Sequence, residues 1–219
     1  MPMKRNDLVR RLPRLGEDEL TVLGSLSDED DLLGAVATGD FAGADYELLT
    51  LRECRIAGAA FTGSRLVRAT LVDCLVTDSD WSGALLEDCR LERVEFKHCR
   101  LSGVQAQGCR FVDVAMLDCK IDEGNFRMTV WERGELRDSN LADSDFYGAR
   151  LPASRIHGCD FSNVEFSRCD LAGSHLQRSR LEGIRGGDSF RGVTIGSDQV
   201  LPTALALFAA VGILVEDDE

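Results

Sequence analysis

The sequence predicts an all-β solenoid, a rod of short extended segments and corners stacked coil upon coil. Two observations predict it. An apolar residue, most often Leu, Phe or Ile, recurs at every fifth position from Phe41 to Leu181 without a slip. Two places before it lies a second register of small residues, which also holds all eight cysteines: Cys54, Cys74, Cys89, Cys99, Cys109, Cys119, Cys159 and Cys169. A period of five fits neither the 3.6 of a helix nor the alternation of a long strand. It fits a short extended segment closed by a corner, because residues two apart on such a segment point to the same side.

The apolar centres are therefore the core, with Phe61, Trp81, Phe96, Phe111, Phe126, Trp131, Phe146, Phe161 and Phe166 as its largest members. The small register lines the core tightly, and the other three positions of each unit, rich in Arg, Asp, Glu and Gly, face water or turn corners. Units this short cannot bury a core singly and must stack, which assigns residues 34–185 to one solenoid. From Cys89 to Cys119 the lining alternates Cys and Val, as an even number of walls requires.

The ends differ. Residues 1–33 begin with a basic arm, Lys4, Arg5, Arg10, Arg11 and Arg14 around Pro13, expected to be loosely held and solvated, with contact to an acidic partner or membrane as the alternative. The spacing of Leu20, Leu23 and Leu26, and Ser27–Asp30 ahead of Leu32 and Leu33, predict a helical cap over the open start of the rod, whose strand edges would otherwise be free. Residues 186–219 hold an irregular exit, an apolar helix from Asp198 to Val211, Gly212 as its stop, a short strand and an acidic tail. Leu201, Leu205, Phe208 and Val211 on a helix apolar nearly all round predict a homodimer through this segment, the alternative being a plug on the rod end.

A formal charge of −13, from 38 acidic and 25 basic residues, excludes a general nucleic-acid binder, so no direct nucleic-acid contact is expected. The basic start lacks the apolar run of a signal peptide. The stretch Leu201–Val215 falls short of the roughly 20 residues of a membrane span. A cytoplasmic location with reduced thiols is expected, and no membrane. No Cys pair has zinc-finger spacing, and packing as small buried side chains accounts for all eight cysteines. His98, His157 and His175 map outward on one wall; a weak surface site at His157 and His175 is the sharper alternative to solvated side chains. Ile184–Gly192, IRGGDSFRG, lacks the Gly-Lys-Ser/Thr ending of a phosphate loop. With no cleft in a filled rod, no catalytic residue, cofactor or metal is expected, and the chain is read as no enzyme.

The units CRLSG, SNLAD, SDFYG, CDFSN and CDLAG resemble the A(D/N)LXX signature of the pentapeptide-repeat family, over about two-thirds of the chain. The resemblance implies a right-handed quadrilateral β-helix with twenty residues per coil. It also implies a function: rods of this family that imitate duplex DNA occupy the DNA saddle of gyrase and alter its inhibition or quinolone tolerance. The unbroken register is similar to the loop-less members, and a terminal apolar helix that dimerises end to end belongs to the same picture. The acidic residues that would face such a partner are Asp40, Asp45, Glu47, Asp80, Glu87, Asp88, Asp122, Glu123, Asp143, Asp145 and Asp160. Residues 39–185 hold 24 acidic and 19 basic side chains, a net of −5, whereas duplex DNA about 35 Å long carries about 20 phosphate charges. A scaffold that presents flat walls to an unrelated protein partner is the alternative, as solenoids bind along extended faces.

Overall fold

The computed structural model describes residues 9–16 and 21–215. Strands pair in parallel with the strand twenty residues on, as in Arg90↔Arg110↔Val130 and Glu95↔Ala115↔Glu135. Units of five in a repeat of twenty give four walls. We number them by their buried centres: the first from Phe41 to Leu181, the second from Tyr46 to Phe166, the third from Leu51 to Leu171 and the fourth from Ile56 to Leu176. The fourth wall has the most continuous ladder, and it joins the third in two longer strands, Thr70–Thr77 and Arg90–Lys97. The first wall is held by single bridges such as Asp80↔Arg100↔Lys120.

Each expected large core residue is at most 2% exposed. Because successive coils superpose, aromatic centres stack: Phe41 on Phe61 at 4.7 Å, Phe61 on Trp81 at 4.2 Å, and Phe126 on Phe146 at 4.9 Å. The small register has its own chemistry. Its backbone amides at Ala59, Cys119 and Ser154 donate to the hydroxyls of Ser79, Ser139 and Ser174 one coil on, at 2.9–3.1 Å. Serine thus satisfies an amide that a buried wall would otherwise leave unpaired.

At the start of the rod the expected helical cap is replaced by strands. Thr21–Leu23 pairs with Ala35–Ala37, and Asp31–Leu33 with Thr50–Arg52, so the chain adds coil rather than a lid. Leu20, the first residue of that helical spacing, lies outside the described residues. The Ser27–Asp30 stretch that resembles a helix start is a turn: the Ser27 amide donates to the Asp30 carboxylate at 2.7 Å and Glu29 adopts a φ of 59°. Free strand edges on the next coil offer a full ladder of backbone bonds, which outweighs a local helix signal.

At the far end, Arg185 still bridges Glu165, and Thr194–Ile195 pairs with the fourth wall. A 3₁₀ turn, Gly187–Phe190, then leads through Ser197–Gln199 to helix α1, Val200–Ala210. Gly187 makes the close approach of this helix possible, since a Cβ there would lie 2.2 Å from the Ala206 carbonyl oxygen. The short strand expected after Gly212 is not formed by Ile213–Val215; Thr194–Ile195 already takes the edge of the fourth wall. The acidic tail at 216–219 lies outside the described residues.

Candidate interaction surfaces

The acidic positions on the first and second walls are largely committed within the rod. Asp40, Asp80 and Asp160 accept the amides of Ala42, Ser82 and Ser162 at 2.9–3.0 Å, and Asp145 accepts that of Tyr147 at 2.8 Å. The Asp or Asn of the repeat is therefore a turn residue that fastens a corner. Glu87 pairs with Arg65 through two contacts of 2.8 Å, Asp145 with Arg127 at 2.8 Å, Asp160 with Arg180 at 3.3 Å, and Asp122 with Lys120 at 3.3 Å. Glu47 pairs with Arg68, and Asp80 lies 4.0 Å from Arg100. Among the described residues Asp40, Asp45, Asp88, Glu123 and Asp143 form no ion pair, and they are scattered over both walls rather than joined in a stripe. Arg127 and Arg168 also lie over the Tyr147 ring, 4.4 and 5.5 Å from its centroid. The two walls are a mosaic of both signs.

The concentration of buried charge is elsewhere, on the corner between the third and fourth walls. Glu53, Asp73, Arg93, Asp113, Arg133 and Ala153 occupy this corner at one residue per coil, each in the left-handed backbone region. Asp73 takes a bidentate contact from Arg93 at 2.7 and 2.8 Å, and Asp113 from Arg133 at 2.6 and 2.8 Å. The basic arm docks on this corner. The amides of Arg14 and Arg11 donate to Asp73 and Asp113, both at 3.0 Å. Arg10, 8% exposed, holds its guanidinium between Glu95 at 2.5 Å and Glu135 at 3.2 Å.

The expected loose arm is thus corrected for residues 9–16; Lys4 and Arg5 lie outside the described residues. What sequence reasoning missed was a set of exceptions in the outward positions. Leu75, Val112, Ala115 and Leu117 stand where the other walls carry charge, and the last three are buried. Burial pushes the Asp113 carboxyl up, but Arg133 and the Arg11 amide outweigh it and hold it below the usual range. The same balance holds for Asp73 with Arg93 and the Arg14 amide, and for Glu95 with Lys97 and Arg10.

The cysteines are all buried and free. The Sγ atoms of Cys74, Cys89, Cys99 and Cys109 lie 3.2–3.5 Å from the carbonyl oxygens of Leu51, Leu66, Val76 and Leu86 on the coil below. They fill the small register as serine does elsewhere. Burial pushes the Cys159 and Cys169 thiols up to about 12. A thiol reagent applied to the native protein is expected to modify few of the eight and the unfolded protein all of them; fast native labelling would contradict this. His157 and His175 lie on adjacent coils of the fourth wall, and His98 Nδ1 is 3.6 Å from Asp78. Among the described residues no three His, Cys, Asp or Glu side chains converge as a metal site would require.

Comparison with known proteins gives the same picture of the repeat. A family model described as "Pentapeptide repeat region" matches residues 89–176, and one described as "Pentapeptide repeats (8 copies)" matches residues 69–105. A trypsin-treated form of QnrB1, a plasmid-mediated fluoroquinolone resistance protein, is similar with a TM-score of 0.63 and 20% identity, over 91% of this chain and 100% of that one. HetL, a pentapeptide repeat protein involved in heterocyst differentiation regulation in a Nostoc cyanobacterium, gives a TM-score of 0.45 and 19% identity over 72% of this chain and 77% of its own. No curated protein matches the sequence. What the family models find is the register that builds the coils, and the chain belongs to the pentapeptide-repeat family.

Proposed function

We propose that the rod is a non-catalytic protein-binding solenoid that works as a homodimer in the cytoplasm, and that its partner, in the most specific form, is DNA gyrase, whose inhibition or quinolone tolerance it modulates. The observation that carries this is the outer face of helix α1. Leu201, Leu205, Phe208 and Val211 are 84, 64, 42 and 72% exposed, while the residue that α1 buries is Thr203. A helix that only plugged the rod would turn its large side chains inward; this one seats its small face on the last coil and presents the large ones to solvent. A second copy is the occupant that such a self-complementary row fits, and it doubles the rod about a twofold axis.

The shared rod shape with the fluoroquinolone resistance protein supports gyrase as the partner. An unrelated protein partner is the second possibility, favoured by the ion-paired acidic walls, which make a weak copy of DNA charge. Light scattering and a supercoiling assay with purified gyrase, with and without a quinolone, test both parts. The wild-type protein is expected to be a dimer and to change supercoiling. A Leu205→Glu, Phe208→Glu variant is expected to be a monomer and to lose most of that effect. A monomeric wild type sinks the dimer; an unchanged supercoiling reaction sinks gyrase and leaves the scaffold.

A further inference from the structure

The corner between the third and fourth walls carries a groove that is apolar where an outer wall is normally charged, with Leu75, Ala115 and Leu117 in outward positions of the fourth wall. Two sets of carboxylates line it, each with its members two coils apart: Asp73 and Asp113 on the corner, and Glu95 and Glu135 alternating with Leu75 and Ala115 in one column of the wall. In register, Glu95, Ala115 and Glu135 form a socket. The middle residue is too small to fill the space above it, and the outer two face each other across it.

Residues 9–16 occupy this groove with Arg10 in the socket. Among the described residues none of this segment makes a backbone–backbone hydrogen bond. Recognition therefore rests on carboxylates that take amides and one guanidinium, and on the half-buried Pro13 and Leu15 beside Leu75. None of that chemistry requires the segment to belong to the same chain. Arginine is the residue it selects, because a planar guanidinium reaches both carboxylates, whereas an ammonium is a single point of charge.

We propose that this groove is a docking site for an extended, arginine-bearing segment of a protein partner, and that residues 9–16 are its resident occupant, closing it in the free protein. Only residues 17–20 separate the arm from the strand at Thr21, and so short a tether holds the arm at an effective concentration of about millimolar. A free segment of equal intrinsic affinity competes poorly until the arm is displaced. The resident fit is incomplete: among the described residues Nη1 of Arg10 is buried with no hydrogen-bond partner. A partner segment whose neighbouring groups satisfy that donor has the advantage. The groove lies apart from α1 and its use does not depend on gyrase.

The probe is a fluorescent peptide of residues 9–16, VRRLPRLG, added to the full chain and followed by anisotropy. An Arg10→Glu, Leu15→Asp variant, which releases the arm, is expected to bind the peptide at least tenfold more tightly than the wild type. Adding Glu95→Gln and Glu135→Gln to that variant should reverse the gain. An unchanged affinity in the release variant, or a gain that survives loss of the two glutamates, overturns the proposal. If the release variant does not fold, the wild type decides: saturating unlabelled peptide should speed amide hydrogen exchange at Arg11 and Arg14, and unchanged exchange overturns it.

Discussion

Phe126→Asp is expected to destroy the cooperative unfolding of the rod, whereas Arg110→Ala leaves its melting midpoint nearly unchanged. Phe126 is 1% exposed, stacks on Phe146 at 4.9 Å and lies 6.2 Å from Trp131. A carboxylate at that place has no cation to meet, and burying it costs several kcal/mol, a large part of the about 5–15 kcal/mol that holds a domain together. In a solenoid each coil touches only its neighbours, so the damage also splits the stack into two shorter ones. Phe111→Asp is expected to act alike. Arg110 pairs with Glu132 at the surface, and its loss is worth at most about 1 kcal/mol. Thermal melts followed by circular dichroism compare the variants; equal shifts for Phe126→Asp and Arg110→Ala would show the inward register to be misassigned.

Asp113→Ala is expected to destabilise the protein by about 3 kcal/mol at neutral pH, the cost of breaking a buried ion pair from one side. The Asp113 side chain is 1% exposed and that of Arg133 27%. Without Asp113 the guanidinium and the Arg11 amide both lose their acceptor. Because the folded protein holds this carboxyl below its ordinary value, its contribution is present above the unfolded pKa and fades as pH falls through the folded one. The gap between wild type and variant should therefore be full at pH 7 and narrow below about pH 4. Unfolding midpoints measured between pH 7 and pH 3 give the comparison, and a gap of constant size would show that the ion pair is not its source.

The body of the rod was legible because side-chain direction on an extended segment depends only on position within the five-residue unit. Phe61, Phe111 and Trp131 could thus be placed inside from spacing alone, and so could the cysteines. The start of the rod was not, because Leu20, Leu23, Leu26 and the Ser27–Asp30 turn satisfy a helix pattern locally. The competing strand pairing depends on Leu51 and Ile56, which come much later in the chain. The arm was misread for a related reason. Arginines in a terminal segment resemble solvated charge until Glu95 and Glu135 are seen to flank Ala115 across three coils. The apolar outward residues Leu75, Val112 and Leu117 were visible exceptions, but only counting in twenties puts Leu75 and Val112 on either side of one corner, with Leu117 across the fourth wall from it. The acidic candidates were found as outward residues, yet the turn role of Asp40, Asp80 and Asp160 depends on amides two residues ahead, which charge counting ignores.

The pairing of each residue with the one twenty places on also limits how this protein can change in length. Removing one five-residue unit from the middle would keep every apolar centre inside, yet it would turn everything downstream by a quarter revolution. A deletion between Glu95 and Glu135 would bring a different wall under Arg10, and helix α1 would leave the last coil in a new direction, rotating one copy of a dimer against the other. Loss or gain of a whole coil restores the phase. Length in such a rod is therefore quantised: five residues satisfy the core, but twenty are needed to keep the surface features of the two ends aligned.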